Sequence, residues 1–181
     1  MIVTRAPLKS IPSPPPTCPM FSNIPPVTAP FEKSASNPSE IAFLISTSVR
    51  SKVDLMEVDI KNAISDGLDA DFSNGAVTGG IFENIGYVGG GDGIDLSGAR
   101  VTITGTQFLN IADKAISVGE ESYLTSSKLS IQKVGVGIVS KDGSHATVQN
   151  SKIMGAKLAG LMAYTKKPIY PAATLHAKDI T

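Results

Sequence analysis

Three aspartates in the middle of the chain have the side-chain type to hold a cation. Asp69 and Asp71 alternate with apolar residues after Gly67, and Asp95 has the same place in a similar run after Gly93. Alternation of this kind puts every second side chain on the outer surface of a strand. Carboxylate oxygens are the ligands that calcium prefers. The sequence therefore predicts Asp69, Asp71 and Asp95 as candidate ligands of a calcium ion.

The same surface offers candidates for acid–base catalysis, namely Asp71, Asp95 and Lys141. If equivalent strands stack about 4.8 Å apart, Asp69 lies beside Asp95, and one of the two carboxyls can keep its proton. Asp71 and Asp95 would then meet diagonally, and an inverting glycoside hydrolase needs carboxyls about 6.5 to 9.5 Å apart. Lys141 could act as a base if its pKa were lowered. The alternative is that these side chains are solvated strand ends, which are common on protein surfaces.

Polar residues in the later repeats predict a surface that could contact a sugar. The candidates are Ser117, Glu120, Tyr164 and Lys166. Charges of both signs occur in this region, so ion pairs across repeats are an alternative, each contributing about 0 to 1 kcal/mol. The histidines and the single cysteine stand outside any metal-ligand or nucleophile spacing. These residues are His145, His176 and Cys18.

The strands that would carry these residues come from an internal repeat. A ladder of apolar residues recurs every 22 to 27 positions, at Ile60, Phe82, Phe108, Ile131, Ile153 and Ile180. A second ladder keeps step five residues earlier, at Leu55, Val77, Ile103, Val148 and Leu175, with Ser126 as the exception. Within each repeat apolar and polar residues alternate with the period of two that is typical of a strand. None of the repeats contains an uninterrupted stripe of apolar residues at helical spacing. We therefore predict an all-β fold, a right-handed parallel β-helix with coils of about 22 residues.

Asparagines at one position of the early repeats predict a stacked turn. Asn62, Asn84 and Asn110 each follow a rung of the first ladder by two residues. Asparagine tolerates a left-handed backbone, and its amide can bond the amide above it. Lys133 and Gly155 take the position in later repeats. The alternative is three unrelated turn asparagines.

Composition divides the chain into two segments. Residues 1–40 are rich in proline and predict a disordered segment, whereas residues 41–181 carry the solenoid repeat. The final repeat stops after one strand, so we expect a domain truncated at its C-terminal end. Formal net charge is zero, which disfavours nucleic acid as a partner. No apolar stretch is long enough to span a bilayer, and no signal peptide is recognisable.

Short motifs in successive repeats carry a resemblance. Residues 65–73 (SDGLDADFS), 92–98 (DGIDLSG) and 113–120 (DKAISVGE) are similar to the right-handed β-helix region of largely uncharacterised bacterial surface proteins. That region is similar in fold to pectate lyases, and the likeness implies an extracellular or cell-surface location and polysaccharide as the ligand class. It implies a scaffold or carbohydrate-contacting module. The alternative is a polysaccharide lyase or glycoside hydrolase-like enzyme. Lyases of this fold commonly use calcium. Whether the chain is an enzyme stays open at this point.

A glycine-rich stretch within this region has a second interpretation. Residues 89–96 look like one unit of the calcium-binding nonapeptide repeat. A site of that kind needs consecutive copies, and only one is present. The alternative is a glycine-rich loop inserted into one coil.

Overall fold

The chain winds as a parallel β-solenoid, as its repeat predicts. The computed structural model describes residues 45–181. Within this range the chain forms 14 strands and no helix, and it makes about 5 turns with coils of ~23 residues. The proline-rich residues 1–40 lie outside the described range, so their disorder stays a prediction.

Three parallel faces run along the solenoid. Face 1 contains β1 (Ile45–Val49), β4 (Leu68–Asp71), β7 (Ile94–Ser97), the second halves of β9 (Gln107–Gly119) and β11 (Ser130–Lys141), and β13 (Ala159–Tyr164). Face 2 contains β2 (Lys52–Met56), β5 (Asn74–Thr78), β8 (Arg100–Thr104), β10 (Tyr123–Ser127), the first half of β12 (His145–Met154), and β14 (Thr174–Ile180). Face 3 contains β3 (Asp59–Lys61), β6 (Ile81–Ile85) and the remaining halves of β9, β11 and β12. Every pairing is parallel, so equivalent residues of successive coils lie side by side.

The predicted apolar ladders fill the core. The first ladder is in register from coil to coil through Ile60, Phe82, Phe108, Ile131 and Ile153. The rings of Phe82 and Phe108 stack with centroids 5.2 Å apart, and both residues are buried. A continuous core of this kind is what lets repeats that cannot fold alone stabilise one another.

The last coil departs from the predicted register by two residues. Val148 pairs with Ala177, where the sequence ladder placed Leu175, and Ile180 pairs with Ser151, two residues before its predicted partner. A slip of two residues keeps every inward side chain inward, because the side-chain period of a strand is two. The apolar pattern cannot separate the two registers, and the predicted rungs at Leu175 and Ile180 are wrong.

The asparagine ladder is confirmed. The amide nitrogen of Asn84 donates to Oδ1 of Asn62 at 3.2 Å, and that of Asn110 donates to Oδ1 of Asn84 at 2.7 Å. All three asparagines have positive φ, between 55° and 61°. Lys133 and Gly155 keep the left-handed backbone in later coils. The turn therefore persists after the amide bonds end.

Buried serines fix the corner between face 1 and face 2. The Ser122 hydroxyl accepts a hydrogen bond from the backbone N–H of Ala99 at 3.0 Å, and Ser144 accepts one from Ser122 at 3.1 Å. Ala99, Ser122 and Ser144 are fully buried. Their bonds tie the backbone of each coil to a side chain of the next coil at the bend. The corner is thus a rigid frame for the side chains beside it.

Candidate functional site

The outer surface of face 1 brings most of the predicted site residues together in two columns. In the first column Asp69, Asp95, Ser117, Val139 and Met162 are successive neighbours. In the second column Asp71 pairs with Ser97, Ser97 with Gly119, and Lys141 with Tyr164. The register predicted for the aspartates is confirmed.

Asp69 and Asp95 resist ionisation. Burial, together with the charges of Asp71 and Asp95, raises the pKa of Asp69 to about 6. Burial also raises the pKa of Asp95, and the ammonium of Lys141 offsets only part of that rise. Directly opposed carboxylates on paired strands repel each other. This stretch of face 1 therefore keeps like charges together at a cost in stability.

Two oxygens in the first column have unfilled hydrogen-bonding capacity. No group in residues 45–181 hydrogen-bonds to Oδ1 of Asp95 or to Oγ of Ser117, and both atoms are buried. Ser117 is 0% exposed although its strand position points outward. Its hydroxyl lies near enough to Asp95 to oppose the rise in that pKa, but it falls short of a hydrogen bond. Buried polar atoms without partners are rare and costly.

Gly119 makes room for Lys141. A Cβ at Gly119 would lie 2.6 Å from Cε of Lys141, so the lysine stem crosses the face over this glycine. Only 8% of Lys141 is exposed. From this position its charge opposes the rise in the pKa of Asp95 and helps to lower the pKa of Glu120. Lys141 is thereby placed between two carboxylates of neighbouring coils.

Hydrogen bonds and a nearby cation stabilise the ionised form of Glu120. Its carboxylate accepts a hydrogen bond from the Ser97 hydroxyl at 2.9 Å and one from Nζ of Lys167. Burial opposes ionisation, but the bonds from Lys167 and Ser97 and the charge of Lys141 outweigh it and lower the pKa of Glu120. We call Asp95, Ser97, Ser117, Glu120 and Lys141 the face 1 cluster. Asp95, Ser97 and Glu120 are partly exposed, whereas Ser117 and Lys141 are buried, so the cluster offers carboxylates and a hydroxyl at the surface with a cation beneath them.

A buried carboxylate holds the neighbouring loop in place. Oδ1 of Asp142 accepts hydrogen bonds from the backbone N–H groups of Lys166 and Lys167, both at 2.7 Å. Asp142 is fully buried, and its Oδ2 finds no partner in the described part of the chain. These bonds position Lys167 against Glu120. Lys166, predicted to contact a sugar, is thus tied to the loop by its backbone, with its side chain on the exposed surface.

A separate aspartate ladder lies at the corner before face 1. Oδ1 of Asp66 accepts from the backbone N–H of Asp92 at 2.6 Å, and Oδ1 of Asp92 accepts from that of Lys114 at 2.9 Å. Nζ of Lys114 also bridges to Asp92 at 3.2 Å. Burial raises the pKa of Asp92 to about 6 and outweighs the charge of Lys114. The ladder links successive coils, because these carboxylates accept hydrogen bonds from backbone N–H groups of the next coil.

Phe72 borders the predicted site, and the sequence pattern did not single it out as a candidate. Ser97 follows from its place in the Asp71 column, and Lys167 belongs to the group of charged residues in the later repeats from which ion pairs are expected. The structure shows that both bond to Glu120. The pairing of Lys167 with Glu120 depends on how the loop after β13 folds back, which sequence spacing does not report.

Metal binding stays a prediction. Among residues 45–181 no group of three or more histidine, cysteine, aspartate or glutamate side chains converges as metal ligands would. Calcium binding by Asp69, Asp71 and Asp95 is therefore supported only by their shared face and by the repulsion that a cation would relieve. The described residues contain no helix with the length and apolarity needed to cross a membrane.

Comparison with known proteins agrees with the fold. Neither the curated proteins nor the solved structures contain a match to the chain. A family model described as "Right handed beta helix region" matches residues 43–173. That range covers most of the chain and every residue of the face 1 cluster. The protein therefore belongs to the right-handed β-helix family.

Proposed function

We propose that the domain is a carbohydrate-contacting module that binds a glycan across face 1. The observation that carries this proposal is the unfilled hydrogen-bonding capacity of the face 1 cluster, above all at Asp95 and Ser117. Sugar hydroxyls both donate and accept, so they complement a patch that mixes carboxylate, hydroxyl and ammonium groups. Because both oxygens are buried, a water molecule that bridges to a sugar hydroxyl at the surface would supply the partner that they lack. An extracellular or cell-surface location is part of the proposal.

The charges on face 1 favour a neutral glycan. The carboxylates are those of Asp69, Asp71, Asp95 and Glu120, and the ammonium groups are those of Lys141 and Lys167. Carboxyl groups therefore outnumber ammonium groups, and at a pH above about 6, where Asp69 ionises, a uronate polymer would meet net repulsion unless a cation came with it. A neutral sugar meets no such repulsion.

The test is glycan binding by the full chain and two matched variants. We expect wild type to bind a neutral hexasaccharide on a glycan array and in titration calorimetry. Glu120→Gln should weaken binding by about tenfold or more, because a charge-assisted hydrogen bond contributes about 1.5 to 3 kcal/mol. Glu83→Gln is the control, since Glu83 also pairs with a lysine, Lys61, but on face 3. Absence of glycan binding by wild type, or equal affinity in Glu120→Gln, would overturn the proposal.

A glycoside hydrolase-like or lyase activity is the second candidate. The observation that favours it is the position of Asp69 beside Asp95 together with its raised pKa. A carboxyl with a pKa of about 6 keeps its proton at mildly acidic pH and can then act as a general acid. Asp71, Asp95 and Lys141 stand in reach of the same surface as partners. Calcium between the aspartates would serve a lyase by neutralising a uronate.

Two assays separate the enzyme from the binding module. Release of reducing or unsaturated ends from polysaccharides, measured between pH 4 and pH 8, should appear in wild type and vanish in Asp69→Asn if the domain is an enzyme. Titration calorimetry with calcium should give saturable binding that is lost in the Asp69→Ala/Asp95→Ala variant if the cation site exists. If the protein binds glycan, releases no product and does not bind calcium, it is a binding module and not an enzyme.

A further inference from the structure

Phe72 is an exposed aromatic residue at the border of face 1. It follows Asp71 directly at the end of β4, and 60% of it is exposed. The other phenylalanines within residues 45–181, Phe82 and Phe108, are buried in the core. Phe72 therefore contributes little to the apolar core, and its exposure needs another explanation.

The backbone at Phe72 is held in a conformation that bulky residues seldom adopt. Its φ is 50°, in the left-handed region. The N–H of Phe72 donates to the carbonyl of Ser97 at 2.7 Å. The next coil is fixed in turn, because Gly98 donates to the carbonyl of Glu120 at 3.0 Å. The equivalent position also has positive φ in other coils, at Arg50, Gly98, Glu120 and Asp142. This backbone therefore belongs to the corner of the solenoid and fixes where the ring of Phe72 stands.

The ring of Phe72 rests on a glycine. A Cβ at Gly98 would lie 2.6 Å from Cδ1 and 2.8 Å from Cε1 of the ring, so only glycine leaves room for it. Gly98 also has a φ of 61°, which a side chain would oppose. Glycine thus lets the ring lie across the neighbouring coil, where its rotation is restricted and its outer surface stays free.

The ring adjoins the polar groups of the face 1 cluster. Asp71 precedes Phe72 and Ser97 precedes Gly98, and the Ser97 hydroxyl bonds to Glu120. An apolar platform therefore continues directly into a row of hydrogen-bonding groups. A pyranose ring has the same two characters, with an apolar face of C–H groups and a polar rim of hydroxyls. Aromatic side chains supply large contact area at low entropic cost.

We propose that Phe72 is the stacking platform for one sugar ring and that it selects neutral pyranosides with an unobstructed C–H face. This inference rests on the proposed function, because the polar half of the subsite is the face 1 cluster. Asp71, Ser97 and Glu120 orient the hydroxyls of the stacked ring, and the excess of carboxylates rejects uronates.

The experiment compares substitutions at Phe72 with a matched exposed aromatic. Tyr87 is 61% exposed on the glycine-rich loop at the corner before face 1, so Tyr87→Leu is the control. Cellohexaose, chitohexaose and a galacturonate hexamer are titrated into the full chain. Phe72→Leu should lower affinity for a neutral hexasaccharide by about tenfold, the scale of an aromatic stacking contact. Phe72→Trp should retain it, and Tyr87→Leu should match wild type.

The possible failures are distinguishable. Wild-type affinity in Phe72→Leu together with loss of binding in Glu120→Gln would overturn the platform and leave the proposed function intact. Preference of wild type for the galacturonate hexamer would overturn the selection for neutral sugars. No binding of any of the three by wild type would overturn both proposals. Thermal melts of each variant exclude unfolding as the cause, since Phe72 lies outside the core.

Discussion

The outer surfaces of face 1 and face 2 lie on the same coils with the same parallel pairing, yet their polar side chains differ. Those on face 2 contact one another, whereas two on face 1 have oxygens without a hydrogen-bond partner among residues 45–181. On face 2 the guanidinium of Arg100 lies 3.9 Å from the centroid of the Tyr123 ring, and that ring stacks on His145 at 4.9 Å. His145 in turn hydrogen-bonds to Thr174 at 2.7 Å. On face 1 Asp95 and Ser117 keep oxygens that no described residue satisfies.

Both faces use parallel strands paired in register, and they differ in the side chains that those strands carry. The Arg100–Tyr123–His145 stack joins three coils through favourable contacts and stabilises the fold. On face 1 Asp69 lies beside Asp95, and burial together with neighbouring carboxylates raises the pKa of both. Proteins commonly accept such a loss of stability at a functional site. We therefore interpret face 2 as a structural surface and face 1 as a binding surface.

The largest expected effect is on the free energy of unfolding, and it comes from removing the Asp142 carboxylate, which holds the loop after β13. Asp142→Ala should destabilise the protein by about 2 to 3 kcal/mol, because two N–H groups lose a charged acceptor. The loop would release Lys167 from Glu120, and glycan affinity should fall as well. Urea unfolding measures the loss. Asp54→Ala on exposed face 2 is the control, and an equal effect of the two substitutions would show that Asp142 does not anchor the loop.

A substitution on face 2 should separate stability from binding. Tyr123→Ala removes both the Arg100 contact and the His145 stack, and we expect a loss of about 1 to 2 kcal/mol in the free energy of unfolding. Glycan affinity should stay at the wild-type value. Loss of glycan binding in a folded Tyr123→Ala protein would remove the distinction between the faces.

The smallest effect is a change in pH dependence at Asp69. A carboxyl whose pKa is raised from 3.8 to about 6 binds more protons in the folded state than in the unfolded state over that interval. Its contribution to stability is therefore present at low pH and is lost as pH rises through about 6. Asp69→Asn should flatten this decline in thermal melts between pH 4 and pH 7. Melting temperatures that fall equally in wild type and variant would contradict it.

Local patterns account for the part of the structure that the sequence predicts. The apolar ladders depend on strand period, and they are confirmed in every coil before the last. The Asn62–Asn84–Asn110 turn depends on the backbone preference of single residues, and it is confirmed as well. The pairing of Asp69 with Asp95 follows from the same register.

Contacts between coils account for what the sequence could not predict. The two-residue slip at Ala177 preserves the inward pattern, so alternation gives no sign of it. The ring of Phe72 leans over Gly98 of the next coil, and the stem of Lys141 crosses Gly119. These positions depend on which glycines lie beside a large side chain in space, and sequence spacing alone does not report that.

The central claim is that the aspartates of face 1 lower the stability of the protein and are needed for binding. The most direct test measures both properties in one variant. Asp69→Asn/Asp95→Asn removes the opposed carboxylates but keeps their shape. We predict that its melting temperature at pH 7 exceeds that of wild type while its affinity for a neutral hexasaccharide is lost. A lower melting temperature with full glycan affinity would contradict the account, because face 1 would then be stabilised by the aspartates and would bind without them.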